Sequence, residues 1–170
     1  MTAMIALLRA VNVGGTGKLP MSELKAMCEA EGYGDVKTYI ASGNVVFTTP
    51  HSPAQVQAAL EKRLAVYAGK PVGVIARTRD ELKAVAAATP FKNAPGNKAI
   101  TIFLDRPPPE NALSDIRGKA NEEIALGTRE IYVHYVDGQA KTKLVIPAAT
   151  SGTARNMNTV NKLITLAEAL

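Results

Sequence analysis

Residues 36–47, VKTYIASGNVVF, read as two strands joined by a turn of a few residues. Val36, Thr38 and Ile40 alternate with Lys37, Tyr39 and Ala41, the period of two that puts successive side chains on opposite faces of a sheet. The alternation stops at Ser42, Gly43 and Asn44, which tolerate positive φ or bond their own backbone, and Val45, Val46 and Phe47 resume a β-branched and aromatic run. Strands this close in sequence pair antiparallel, because a parallel pair needs a long crossover. The same geometry accounts for the glycine and asparagine of the turn without a ligand.

Working outward, residues 4–8 are a continuous apolar run ending at Arg9, which suits a strand covered on both faces. After residues 12–18, a loop by its glycines, Pro20 opens a helix with Leu24, Met27 and Cys28 on one side and Gly32 as its stop. Ser52-Pro53-Ala54-Gln55 is a capping box, followed at helical spacing by Val56, Leu60, Leu64 and Tyr67 and closed by Gly69. An apolar strand over residues 72–76 completes the order strand, helix, strand, strand, helix, strand, which is the ferredoxin-like arrangement.

The order then begins again. A second capping box, Thr78 to Glu81, starts a linking helix with Leu82, Val85 and Ala86, ended by Pro90. Residues 99–104 form a strand, and Pro107, Pro108 and Pro109 introduce a weaker helix around Leu113 and Ile116, in which Gly118 costs about 1 kcal/mol relative to alanine. Residues 123–126 and 131–136 are strands of a second hairpin, residues 143–146 one more helical turn, and Met157, Val160, Ile164 and Ala167 mark a closing amphipathic helix that leaves the second copy without its last strand. The expected fold is α+β, with two ferredoxin-like (βαββαβ-type) repeats whose antiparallel sheets are covered by helices. The first half spans residues 1–78 and the second, incomplete half residues 79–170. Halves of this size are marginal alone, so they are expected to pack into one unit or share a sheet.

With 46% apolar and 21% charged residues among 170, the chain can bury a core. The apolar run near the start is too short to span a bilayer and lacks the basic residues of a secretory signal, so a cytoplasmic location and no membrane association are expected. One cysteine and two well-separated histidines give no metal-ligand spacing, and neither a metal nor a cofactor is expected. The net charge of +5 is spread along the chain without a basic block, which argues for solubility rather than nucleic-acid binding.

Two polar clusters carry the chemistry. Asn12, Gly14, Gly15 and Lys18, with Arg9 before them, lie where backbone N–H groups cradle an anion, although both the P-loop and the dinucleotide spacings fail. Arg155, Asn156, Asn158 and Thr159 stand at the start of the last helix, where free N–H groups and the dipole favour anions, or where Asn156 or Thr153 simply caps the helix. These two clusters, joined by Ser42 and Asn44 of the hairpin turn, are expected to meet around a phosphate- or carboxylate-bearing small molecule. No catalytic residue is assigned. Cys28 lies on the apolar stripe of its helix as a core residue, and Tyr132 and His134 share a sheet face read as solvated.

Three motifs together resemble the bacterial domain-of-unknown-function family 1697: LLRAVNVGG at residues 7–15, TYIASGNVVF at 38–47 and TARNMNTV at 153–160. The resemblance spans the chain, with Met157 standing where the family pattern has tryptophan. It implies a cytoplasmic protein of two intertwined ferredoxin-like repeats without an established activity. Whether the chain is an enzyme therefore stays open. Beside binding of an anionic small ligand stand two alternatives, an RNA-binding module that stacks bases on Tyr132 and His134, and a protein-interaction scaffold without catalysis. A monomer is expected.

Overall fold

The computed structural model describes residues 1–11 and 18–170. Among them are two four-stranded antiparallel sheets and four α-helices, an α+β architecture that divides into two compact units, residues 1–83 with 162–170 and residues 84–161.

In the first unit β1 (Thr2–Leu8), α1 (Met21–Ala30), β2 (Gly34–Tyr39), β3 (Asn44–Thr49), α2 (Pro53–Ala68) and β4 (Val74–Thr78) follow in the expected order. The sheet runs β2-β3-β1-β4, every neighbour antiparallel. Met4, Ala6 and Leu8 of β1, Val45 and Phe47 of β3, and Val74 and Ala76 of β4 point to one face, where Leu24, Met27 and Cys28 of α1 and Val56, Leu60 and Leu64 of α2 pack against them. Tyr33 stacks on Phe47 with ring centroids 4.4 Å apart. Ile5, Leu7, Val46, Ile75 and Arg77, on the alternate positions, are buried as well, so β1 is covered on both faces as its unbroken apolar run requires. Local signals set the ends of α2: the Ser52/Gln55 capping box is formed in both directions, and Gly69, at φ +70, takes the left-handed cap.

The hairpin turn begins earlier than the sequence alternation suggests. Ile40 already has φ +50, and Asn44 belongs to β3 rather than to the turn. Gly43, at φ +90, accepts at its carbonyl oxygen a hydrogen bond from Leu8 N–H at 2.8 Å. A Cβ there would lie 2.7 Å from Val11 Cγ2 and 2.8 Å from Leu8 Cβ, so glycine lets the turn close against the end of β1.

The chain passes through α3 (Arg79–Ala88), whose Thr78/Glu81 capping box is formed, into β5 (Ala99–Phe103), β6 (Glu123–Leu126) and β7 (Glu130–His134), and the second sheet runs β6-β7-β5 and then β8 (Thr153–Asn156), ahead of α4 (Met157–Glu168). Three expectations change here. A last strand exists: β8 pairs antiparallel with β5, through Thr101 opposite Arg155 and Ile102 opposite Ala154. The helix expected around Leu113 and Ile116 is a set of turns, closed by Ala112 N–H to Pro109 O and Ser114 N–H to Asn111 O, both i to i+3 bonds. Residues 143–146 form no helical turn either: Val145 makes an antiparallel bridge with Arg117, and a 3-10 turn follows at Pro147–Ala149. Irregular segments thus supply the cover for one face of this sheet, with Ile116, Leu144, Ile146, Ala148 and Ala149 packed beside Ile100, Ile102, Ile131 and Val133.

Candidate functional site

The antiparallel pairing of β1 with β4 brings the segment that leaves β1 beside the segment that enters β4, and Arg9 N–H donates to Gly73 O at 2.9 Å where they meet. There a concave pocket of about 380 Å³ opens, lined by Arg9 and Val11 after β1, by Lys18 and Leu19 ahead of α1, by Leu64 and Tyr67 on the last turns of α2, and by Lys70 and Val72 in the loop to β4. Its volume lies at the lower end of the range for small-molecule sites. The described lining holds three cationic side chains and no carboxylate. Arg9, Lys18, Tyr67 and Lys70 are exposed, whereas Val11, Leu19 and Leu64 are buried and form the floor. Charges at a rim above an apolar floor attract an anion from solution and leave its body a dry surface.

Of the residues that sequence reading singled out, Arg9 and Lys18 line this pocket. Asn12, Gly14 and Gly15 lie outside the described residues. Asn44 is fully buried and spans the hairpin turn, its amide donating to Tyr39 O and Ser42 Oγ at 2.9 Å each, which gives both residues a role in the turn. Asn156 caps α4, its Oδ1 accepting from Thr159 N–H at 2.9 Å. Asn158 packs against Gly96, where a Cβ would come within 2.0 Å of its Oδ1, and Thr159 is buried.

Arg155 is only 7% exposed. Its Nη1 donates to Thr153 Oγ1 at 2.7 Å and to Ala154 O at 2.9 Å, and burial pushes its guanidinium down to about 10. Tyr132 corrects an expectation: it is 2% exposed rather than solvated, and its hydroxyl donates to Val85 O at 2.8 Å, so its ring offers no platform for a base. His134 Nδ1 bonds Glu123 Oε1 at 2.7 Å, and its ring lies 5.8 Å from that of Phe91. Cys28 is buried as its helical stripe requires; burial first, then the nearby Glu29 and Glu31, pushes its thiol up to about 12. Among the described residues no group of three or more His, Cys, Asp or Glu is placed to hold a metal ion, and no helix is long and apolar enough to cross a membrane.

Tyr67, Lys70 and Val72 were not legible as site residues. Each belongs to a segment distant in sequence from Arg9 and Lys18, and only the adjacency of β1 and β4 joins them. A ferredoxin-like strand order, taken literally, contains that adjacency and would have pointed to the loop ahead of β4.

An α+β chain with two four-stranded sheets and a basic pocket at one sheet end is the class defined so far. The chain belongs to the family described as proteins of unknown function, DUF1697, whose sequence pattern matches residues 1–132. A solved structure, that of the conserved bacterial protein SP0830 from Streptococcus pneumoniae, is similar over 98% of this chain and 98% of that one, with a TM-score of 0.78 and 24% sequence identity. At that identity the likeness speaks for the fold. No curated protein matches the chain.

Proposed function

We propose that this protein binds a small anionic ligand, phosphate- or carboxylate-bearing, in the pocket between the end of β1 and the end of α2. The observation that carries this reading is the gathering of Arg9, Lys18 and Lys70 around one concavity whose described lining has no carboxylate. Such a site holds an anion by charge and by N–H donors, and its affinity falls with salt. Binding is the whole of the proposal. In the fold reading that accompanies it, each unit is a ferredoxin-like half. The strand orders β2-β3-β1-β4 and β6-β7-β5-β8 support this, and the assignment of residues 162–170 to the first unit supports an intertwined chain.

A thermal-shift and calorimetric screen of inorganic phosphate, pyrophosphate, citrate and benzoate tests the proposal, since a ligand that binds only the folded state raises stability by mass action. Protection of the wild type that disappears in Lys18→Ala/Lys70→Ala, and persists in Lys119→Ala, is the expected result. Equal protection of all three proteins would reject it.

A further inference from the structure

Resting on that reading, the charge gathered at the pocket narrows the ligand class: we infer that the ligand is a compact polyanion with two or more anionic groups, of the polyphosphate or polycarboxylate kind. The described lining belongs to two stretches of chain, residues 9–19 and 64–73. Their sequences, RAVNVGGTGKL and LAVYAGKPVG, hold Arg9, Lys18 and Lys70 and no Asp or Glu. Residues 12–17 are themselves uncharged, so the two stretches carry a formal charge of +3, against +5 for all 170 residues. Charge that is dispersed along the sequence is thus concentrated where β1 pairs with β4.

A volume of 380 Å³ corresponds to a sphere about 9 Å across, close to the screening length of about 8 Å at physiological salt. An anion inside it therefore feels all three cations, and its gain grows with each negative charge it brings. The cations also differ in kind. Arg9 is held in place: its N–H bonds Gly73 O, and its side chain runs along Gly73, where an added Cβ would lie 3.6 Å from Arg9 Cβ and 3.7 Å from Arg9 Cδ. Its planar fork suits one anionic group in a bidentate pair, while Lys18 and Lys70, point charges on flexible stems, adapt to further groups on the same small body.

A valence ladder separates this inference from the binding proposal itself. Phosphate, pyrophosphate and tripolyphosphate, and in parallel acetate, succinate and citrate, are titrated calorimetrically into the full chain at constant ionic strength without divalent cations. Backbone amide NMR shifts of Arg9, Lys70 and Val72 report occupancy of the pocket. The expected result is a dissociation constant that falls about threefold to fivefold for each anionic group added in at least one series, the steeper series naming the group. Lys18→Ala and Lys70→Ala should each weaken the most charged member of that series more than the least charged one, and Lys119→Ala should leave the ladder unchanged. A flat ladder in both series, with amide shifts retained, overturns the polyanion inference and leaves the anion site standing. A ladder as steep in Lys18→Ala/Lys70→Ala as in the wild type also overturns it, because the charge then acts elsewhere. If no anion of either series shifts those amides, both the inference and the binding proposal fall.

Discussion

Gly118→Ala distinguishes the helix read from sequence around Leu113 and Ile116 from the structure by sign. In a helix interior the substitution would stabilise by about 1 kcal/mol. In the structure Gly118 has φ +70, and a Cβ built on it falls 1.9 Å from Lys143 O and 2.6 Å from Lys143 C, both backbone atoms that cannot swing aside. The left-handed conformation costs a non-glycine residue about 1 kcal/mol. Relieving the clash means separating residue 118 from residue 143, beside the paired bonds Arg117 N–H to Val145 O at 2.9 Å and Val145 N–H to Arg117 O at 2.8 Å. Losing both bonds adds about 2 kcal/mol, for a total near 3 kcal/mol of destabilisation. Urea unfolding followed by circular dichroism measures this as a lower midpoint at constant slope. A midpoint unchanged or raised in Gly118→Ala would refute the placement of this turn.

Other consequences follow from single contacts. Removing the buried hydroxyl in Tyr132→Phe leaves Val85 O without that donor and should cost about 1 kcal/mol in urea unfolding, with no change in any nucleic-acid affinity measured by fluorescence anisotropy. Ser52→Ala removes the side-chain half of the α2 capping box and should cost about 1 kcal/mol by the same assay. Cys28 should react slowly with a thiol reagent in the folded state and rapidly in urea. Because burial raises its thiol from 9.0 to about 12, the folded state keeps a proton that the unfolded chain releases; this contribution is complete below pH 9 and lost as pH rises toward 12. Tyr33 and Tyr132, raised from 10.0 to about 12, add the same trend at higher pH, so a urea midpoint that falls from pH 9 to 10 in the wild type should fall less in Cys28→Ala.

Where the signal was local, the fold was legible. The capping boxes at Ser52 and Thr78 and the cap at Gly69 involve residues within four positions of one another, and each formed as read. The stretch around Leu113 had helical spacing, but Pro109 set an isolated turn and Gly118 required a left-handed backbone, so its apolar residues reach the core from an irregular segment. The strand Thr153-Ala154-Arg155-Asn156 has no apolar run at all. It is a strand because β5 offers an edge, a fact no window of sequence contains. Tyr132 was assigned with His134 to a solvated face because Ile131, Val133 and Tyr135 occupy the opposite one, yet alternation says only which residues share a face, not whether that face is covered.

The two buried arginines decide how much of the sequence-derived site should be kept. Ala76-Arg77-Thr78 ends β4 and Ala154-Arg155-Asn156 ends β8, although the halves show no residue-by-residue identity elsewhere. Each arginine faces the second residue of its register on the neighbouring strand, Ile5 opposite Arg77 and Thr101 opposite Arg155. Each donates from Nη1 to the carbonyl of the alanine before it, at 3.1 Å and 2.9 Å, and each is followed by the residue that caps the next helix. A feature repeated at the same junction of both sheets is explained by the junction, and a ligand site in one half does not require its copy in the other. Arg77 and Arg155 are therefore expected to act on stability. Truncation to alanine removes charge-assisted hydrogen bonds and should destabilise by about 2 kcal/mol at either position. Replacement by methionine, which fills the space without a charge to desolvate, should cost markedly less. Arg155→Met that keeps its urea midpoint and its anion protection would bear this out. Loss of anion binding in a fully folded Arg155→Met would return Arg155 to the binding site and displace the pocket of Arg9, Lys18 and Lys70 from its central place.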